Sequence, residues 1–386
     1  MKNNSLANLF LNNSLIICLA YLIFIKPDCI SLYSSINQIV NIISILFGLI
    51  ILLLFFSQKK ISKLQLSIIL FIFFLFVSTA LYSHDFWFFI KLYFNFMIIS
   101  IYTELLIKTN LEKFLKCISF LIFILICINS ITVLIYPNGL HNIDGYYFLG
   151  YDNSTVITVV LGIFVMIIAS HYFKNRISFL TYLAIIIALL TYIDVWAVSC
   201  MITMSLLIFF VIFIYKRNTL KIFINFKLLF IFFIVLFFSI VIFRLQDTFS
   251  YLIVDVFHRD MTFTGRTYIW DRCLYYIKDN FLLGLGVENY DTRYLVKNIY
   301  HAHSTLLNIL LEGGIIGLLS YLNIFRVVGT KLKDVVNNEY AKIVTFSLFI
   351  YFIATLVDVI HNSQMLFVIL NIGFYSSYIL NYEKEK

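Results

Sequence analysis

The chain has 386 residues, 62% of them hydrophobic and 12% charged, with a mean hydropathy of +0.97. A soluble chain carries about 25% charged residues, so a water-soluble globule is excluded and lipid must cover most of this surface. The formal net charge of +8 follows the sidedness of the connections between spans and implies no nucleic-acid partner.

Two prolines, Pro27 and Pro137, and 13 glycines interrupt the chain. Runs such as 50–56 (IILLLFF) and 228–243 lack the alternation of a lipid-facing β-barrel, and in hydrocarbon a helix satisfies its own backbone. With about 20 apolar residues needed per span, spans are predicted at 9–26, 36–56, 64–82, 86–107, 117–136 and 154–172. They continue at 177–193, 195–215, 226–243, 303–325, 341–360 and 363–381, with Asp194 dividing a stretch too long for one crossing. Met1-Lys2-Asn3-Asn4 leads into apolar residues without a small-residue cleavage site, which reads as a retained first span. Most of the six cysteines lie in apolar runs and behave as small hydrophobes, which leaves a Cys29–Cys273 bridge outside the membrane open. The expected fold class is an all-α integral membrane protein of about 12 transmembrane helices, one polytopic domain over 1–386.

Lys and Arg placement gives an independent check. With both termini in the cytoplasm, the inner connections hold Lys59, Lys60, Lys63, Lys108, Lys113, Lys116, Lys174, Arg176, Lys216, Arg217, Lys221, Arg326, Lys331 and Lys333. The short outer connections 83–85, 137–153 and 361–362 hold none, as the positive-inside rule requires. The long outer loop 244–302 departs from this, with seven cations (Arg244, Arg259, Arg266, Arg272, Lys278, Arg293, Lys297) and seven acids. Long loops translocate regardless of charge, and loops of this length are functional or disordered. Stretches such as TYIWDRCLYYIKDNFLLGLG have helical apolar spacing, so the loop is expected to fold into amphipathic helices along the outer surface.

Several arginines in one membrane-bounded loop suit a lipid-linked phosphate, because a guanidinium stays charged and binds phosphate in a bidentate fork. The same arginines can equally pair with the local acids or with anionic headgroups. His303, at the outer mouth of a span, has the chemistry of a general base near pH 7, or of an interfacial hydrogen-bonding residue. On a helix His301 and His303 would point apart, and zinc would need a third ligand such as His258 or Asp291. Glu312 would lie about 13 Å further along a regular helix, on the opposite face from His303. A buried acid at that depth is functional by default or anchors helix packing. Asp194, Asp358 and Glu104 raise the same question.

The string Thr264-Gly265-Arg266 with Trp270, then Asn280-Phe-Leu-Leu-Gly284-Leu-Gly286, then His303-Ser304 and Glu312-Gly313-Gly314-Ile-Ile-Gly317, resembles the bacterial O-antigen polymerase and ligase superfamily of Wzy-like proteins. Phe281 stands where that pattern has Pro, and Ser304 where it has Asn. The resemblance implies a GT-C-like all-helical glycosyltransferase that needs no metal or other cofactor. It implies an undecaprenyl-pyrophosphate-linked glycan as donor and location in the bacterial cytoplasmic (inner) membrane. A flippase and a chain-length regulator of the same pathway would be its partners. By position it implies His303 as the catalytic base and Arg266 and Arg293 as pyrophosphate contacts, with Glu312 and Trp270 lining the substrate site. Relatives often carry an Arg after the fifth span, where this chain keeps Gly150 and Asn153 without one. Many also carry a Ser-Arg pair where this chain has Ser199-Cys200, so Arg244 is the expected substitute contact. The expected activity is polymerisation of O-antigen or capsule repeat units, with transfer of finished polymer to lipid A-core as the alternative. A transporter or flippase would need pseudo-repeats and mid-membrane acids, and no repeat is found.

Overall fold

The computed structural model describes residues 5–58, 60–217, 224–245, 266–333, 337–360 and 363–385. Within them the chain runs α1 (Ser5–Asn12), α2 (Ser14–Ile25), α3 (Ser34–Phe56), α4 (Lys63–Leu81) and α5 (Phe86–Ile135). A two-stranded turn, β1 (Tyr146–Tyr147) against β2 (Gly150–Tyr151), precedes α6 (Asp152–Lys174), α7 (Phe179–Asp194), α8 (Val198–Phe209) and α9 (Phe226–Phe237). Then come α10 (Arg266–Asp279), α11 (Tyr290–Lys297), α12 (Thr305–Gly329), α13 (Glu339–Thr355), α14 (Gln364–Phe374) and α15 (Ser376–Lys384). This is an all-helical, multi-pass membrane protein.

Among the described residues, five helices are long and apolar enough to cross a membrane: α3, α4, α5, α6 and α12. A sixth span is present if α14 and α15, bent by 59°, count as one. The shortfall from the dozen expected spans has local causes. The predicted span 9–26 is split at Asn13, whose Oδ1 accepts the Leu15 N–H at 2.9 Å and caps α2. The stretches 177–193, 195–215 and 226–243 form shorter apolar helices, the last two closing in π-turns at Phe210–Ile214 and Phe238–Ile242. The predicted 341–360 ends at Thr355.

Two predicted spans, 86–107 and 117–136, run together as the 50 residues of α5. At 1.5 Å per residue that is about 75 Å, more than twice a hydrocarbon core of about 30 Å. The helix breaks at Asn110 (φ −154°, ψ 62°). Asn110 Oδ1 accepts the Lys113 N–H at 3.4 Å and starts the second half, while its Nδ2 donates to Asn12 Oδ1 at 2.8 Å. The polar Asn110 thus falls among Lys108, Lys113 and Lys116, where a connection was predicted.

The core is built around α6, enclosed on nearly every side by α5, α7, α8, α13 and α14. Gly162 lets α5 approach: a Cβ there would meet Ile122 Cγ2 at 2.8 Å. Where apolar packing gives no preference over lipid, buried amides and hydroxyls fix partners. Gln65 Nε2 donates to Ser100 Oγ at 3.0 Å and Asn371 Oδ1 at 3.2 Å, tying α4, α5 and α14. Helix α3 lies at the edge, with Ile39, Ile42, Leu46, Leu49 and Leu53 exposed as a lipid-facing stripe. All six cysteines are free thiols, so Cys29 and Cys273 are not bridged.

Candidate active site

Helix α12 packs along α4 more extensively than any other pair of helices packs, and the glycines near its start explain why. At Gly313 a Cβ would meet Leu75 Cδ2 of α4 at 2.5 Å. One residue on, Gly314 has φ +58° and breaks the helix, a conformation open to glycine with little cost. The segment after α10 inserts into that break. Leu285 N–H donates to Leu311 O at 2.8 Å, Gly286 N–H to Glu312 O at 2.9 Å, and Ile315 N–H to Phe281 O at 2.8 Å. A Cβ on Gly284 (φ +72°) would meet Glu312 C and Gly314 N at 2.6 Å. The two glycine motifs are therefore two halves of one joint.

The end of α4 grips the same segment. Ser78 Oγ hydrogen-bonds to both Leu283 O (2.5 Å) and Glu312 O (2.8 Å). Thr79 Oγ1 accepts from Val287 N–H at 3.0 Å, Ser83 Oγ donates to Val287 O at 2.5 Å, and Asp85 Oδ2 accepts from Asn289 N–H at 3.0 Å.

Beyond the joint, α11 carries Arg293 into the protein. Its side chain is fully buried and Nη2 donates to Glu312 Oε1 at 2.9 Å, while Nε reaches Glu288 Oε1 at 3.3 Å. Burial works against the Arg293 charge, but Glu312, Tyr290 and Glu288 together more than offset it, so the guanidinium is held charged. Tyr93 of α5 donates to Glu312 Oε2 at 3.4 Å, and the Tyr290 ring lies 5.4 Å from the guanidinium. Arg293 Nη1 is buried without a hydrogen-bond partner among the described residues. Arg272 stabilises the end of α11, with Nε and Nη2 donating to Lys297 O at 3.2 and 2.9 Å.

His301 and His303 precede α12 and are not on a helix, so the expectation that they point apart is corrected. Helix α12 starts at Thr305, and His303 sits at φ +46°, a left-handed backbone uncommon outside glycine. That geometry folds the two rings to 4.1 Å between centroids, and His303 N–H donates to His301 Nδ1 at 3.3 Å. The acceptor role of Nδ1 assigns the His301 proton to Nε2. Burial, then His301, then the charge of Arg266 push His303 down to about 3, and burial foremost also lowers His301. Both rings are neutral at pH 7. The expectation that Glu312 faces away from His303 on one regular helix fails for the same reason. A chain of contacts links the two instead: His301 lies 5.9 Å from Tyr290, which covers Arg293, which holds Glu312.

The remaining expected site residues fall in two places. Arg266 is the first described residue of α10, and its charge reaches both imidazoles. Arg244 binds the same helix, through Thr267 O at 3.0 Å and the Asp271 carboxylate. Trp270 is wholly enclosed and, with Cys273 and Ile277, forms the buried face of α10, which packs on α12. Asn153 accepts a hydrogen bond from Ser199 Oγ at 2.7 Å, so the two places where the resemblance led to an expected arginine adjoin each other. Asp358, whose carbonyl accepts from Thr305 Oγ1 at 2.9 Å, adds a negative charge that reaches His301.

Tyr93, Glu288, Tyr290 and the polar end of α4 were not anticipated from sequence. The cluster Ser78-Thr79 with Ser83-His84-Asp85 was the available signal, since it ends an otherwise apolar run. Tyr93 had none among 26 tyrosines. Among the described residues no three His, Cys, Asp or Glu side chains converge to hold a metal ion. Of the two suggested third ligands, Asp291 joins no such group, and His258 lies outside the described residues, as do Gly265, Arg259 and the rest of 246–265.

Residues 196–322 match the family model described as O-antigen ligase. This segment is of the O-antigen polymerase and ligase family. The O-antigen ligase domain runs from the turn before α8 through most of α12, so it contains Arg244, Arg266, Trp270, Arg293, His303 and Glu312. Asn153 lies outside it. Its family's activity is polymerase or ligase glycosyl transfer in polysaccharide and lipopolysaccharide biosynthesis, with lipid-linked glycans as substrates. No curated protein matches the chain.

Proposed function

We propose that this protein is a polymerase that joins lipid-linked repeat units of O-antigen or capsule on the outer face of the bacterial cytoplasmic membrane. The observation that carries the reading is that Arg244 is bonded to α10 next to Arg266, whose charge acts on the two neutral imidazoles folded together just before α12. A leaving pyrophosphate needs cations more than it needs an acid, and an incoming sugar hydroxyl needs a base.

In this reading the donor's undecaprenyl pyrophosphate lies against Arg266 and Arg244, and the Nη1 donor of Arg293 completes its binding. The acceptor sugar hydroxyl gives its proton to His303 and its oxygen bonds to the donor's anomeric carbon. The anomeric C–O bond to pyrophosphate breaks, and undecaprenyl pyrophosphate leaves with the electron pair. Glu312 positions Arg293, and no metal is required. The shorter apolar helices and the two halves of α5 complete a set of about twelve spans, with both termini cytoplasmic and the loop 244–302 outside. A GT-C-like scaffold of this kind would take its partners, a flippase and a chain-length regulator, from the same membrane.

Substituting His303→Ala or Arg266→Ala is expected to abolish long-chain polysaccharide while leaving the protein in the membrane. A normal chain-length ladder from either variant would overturn the site assignment. The description of the matched family model favours a second reading, ligation of finished polymer to lipid A-core. A deletion strain separates the two, since a single repeat unit on the core marks a polymerase and free lipid-linked polymer marks a ligase.

A further inference from the structure

At the end of α12 away from His303, the start of α4, the break in α5 and the ends of α12 and α14 border a cavity outside the candidate active site. It has a volume of 590 Å³ and is lined by Lys60, Lys63, Lys108, Arg326 and Lys331. It shares Asn323, Arg326 and Thr330 with a second cavity of 820 Å³, walled by Phe226, Phe230, Leu319 and Leu322. A third, of 280 Å³, continues from Leu319 to Ile316 and Phe74. A cationic mouth thus opens on an apolar groove that follows α12 from Thr330 to Ile316, about 20 Å at 1.5 Å per residue. That is longer than half a hydrocarbon core, about 15 Å.

Among the described residues the charge in the mouth is largely uncompensated. Lys108 pairs with Glu104 at 2.5 Å, and Lys331 lies 5.6 Å from the Phe374 ring centroid. Among the described residues no carboxylate lies within ion-pair distance of Lys60, Lys63, Arg326 or Lys331. The N-terminus of α4 begins at Lys63 in the same mouth, adding backbone N–H groups and positive potential. The positive-inside bias explains cations on this side, but it does not require them to ring a cavity continuous with an apolar groove.

We propose that this groove is a binding site for one anionic diacyl phospholipid. Its phosphate sits among Lys60, Lys63, Arg326 and Lys331, and its acyl chains lie along the α9–α12 face. Basic pockets between helices on the cytoplasmic side suit anionic headgroups, and the groove supplies the apolar half that a free phosphate would leave empty. The proposal is independent of the glycosyl-transfer reading.

The full-length protein, purified in detergent and offered phosphatidylglycerol or phosphatidylcholine micelles, tests it by native mass spectrometry. The expected result is retention of one phosphatidylglycerol with at least a tenfold preference over phosphatidylcholine. The charge reversal Arg326→Glu/Lys331→Glu removes that preference. The milder Arg326→Gln lowers it severalfold, and serves if the reversal fails to fold. Leu322→Asn weakens retention of the lipid. Equal retention of both lipids, a preference unchanged by Arg326→Gln, or equally tight binding of glycerol phosphate alone would overturn it.

Discussion

Arg293 and Glu312 form an ion pair closed off from solvent on both sides, and its energetics differ from those of a surface pair. Two charges taken out of water offset each other only while both are present, and removing one costs about 3–5 kcal/mol. Glu312→Gln is therefore expected to destabilise the protein by roughly 3 kcal/mol or more, measured as thermal unfolding in detergent. The double variant Arg293→Met/Glu312→Leu should be milder than either single change, because no charge is left stranded. His303 makes a different statement. Its proton affinity is held at about 3, against about 6.5 for an unperturbed imidazole. Between those values the unfolded chain binds the proton and the folded one does not. The stabilising contribution is complete above about pH 6.5 and declines as pH falls toward 3. Unfolding temperature should drop over that window in the native protein, and drop less in His303→Gln, with His301 accounting for the remainder. If His303 is the base, kcat/KM should stay level from pH 8 to pH 5, without the acid limb an ordinary histidine gives.

The joint between 281–287 and 311–316 is the element on which the site's geometry depends. Gly284 and Gly314 each need a positive φ, and each faces opposing backbone within 2.6 Å of a would-be Cβ. Backbone cannot rotate aside as a side chain can, so Gly284→Ala and Gly314→Ala are expected to disrupt the joint and abolish activity. Gly317→Ala is the control: its nearest neighbours would lie at 3.6 Å and beyond, on a regular turn, and near-normal expression and polymer are expected. Family pattern alone treats these three glycines alike. The sequence showed where the motifs were and that α7 would turn at Asp194, because both are local patterns. It could not show that one motif docks into the other, a contact between segments some thirty residues apart. Nor could periodicity reveal that the helix begins only after His303, because a positive φ at histidine leaves no compositional trace. Tyr93 reached the site from a distant helix for the same reason.

Across the whole molecule, apolar composition set the class but not the crossings. Stretches that read as spans became a 50-residue helix broken at Asn110, helices closing in π-turns, and a pair bent by 59°. Charge bias is the remaining guide to sidedness, and it makes a prediction for the entire chain. Single cysteines placed at Lys297 and at Lys331, in a background without the six native thiols, should react with a membrane-impermeant maleimide differently. Position 297 should label in intact cells and position 331 only after lysis; the reverse pattern would invert the topology. The docking of 281–287 into the broken helix also bears on how such proteins can be recombined. A chimera that takes its loop from one relative and its tenth predicted span from another would bring together two surfaces never selected to interlock. Swaps intended to change the transferred glycan should therefore move residues 280–317 as one cassette, with the facing end of α4 brought along or matched to it.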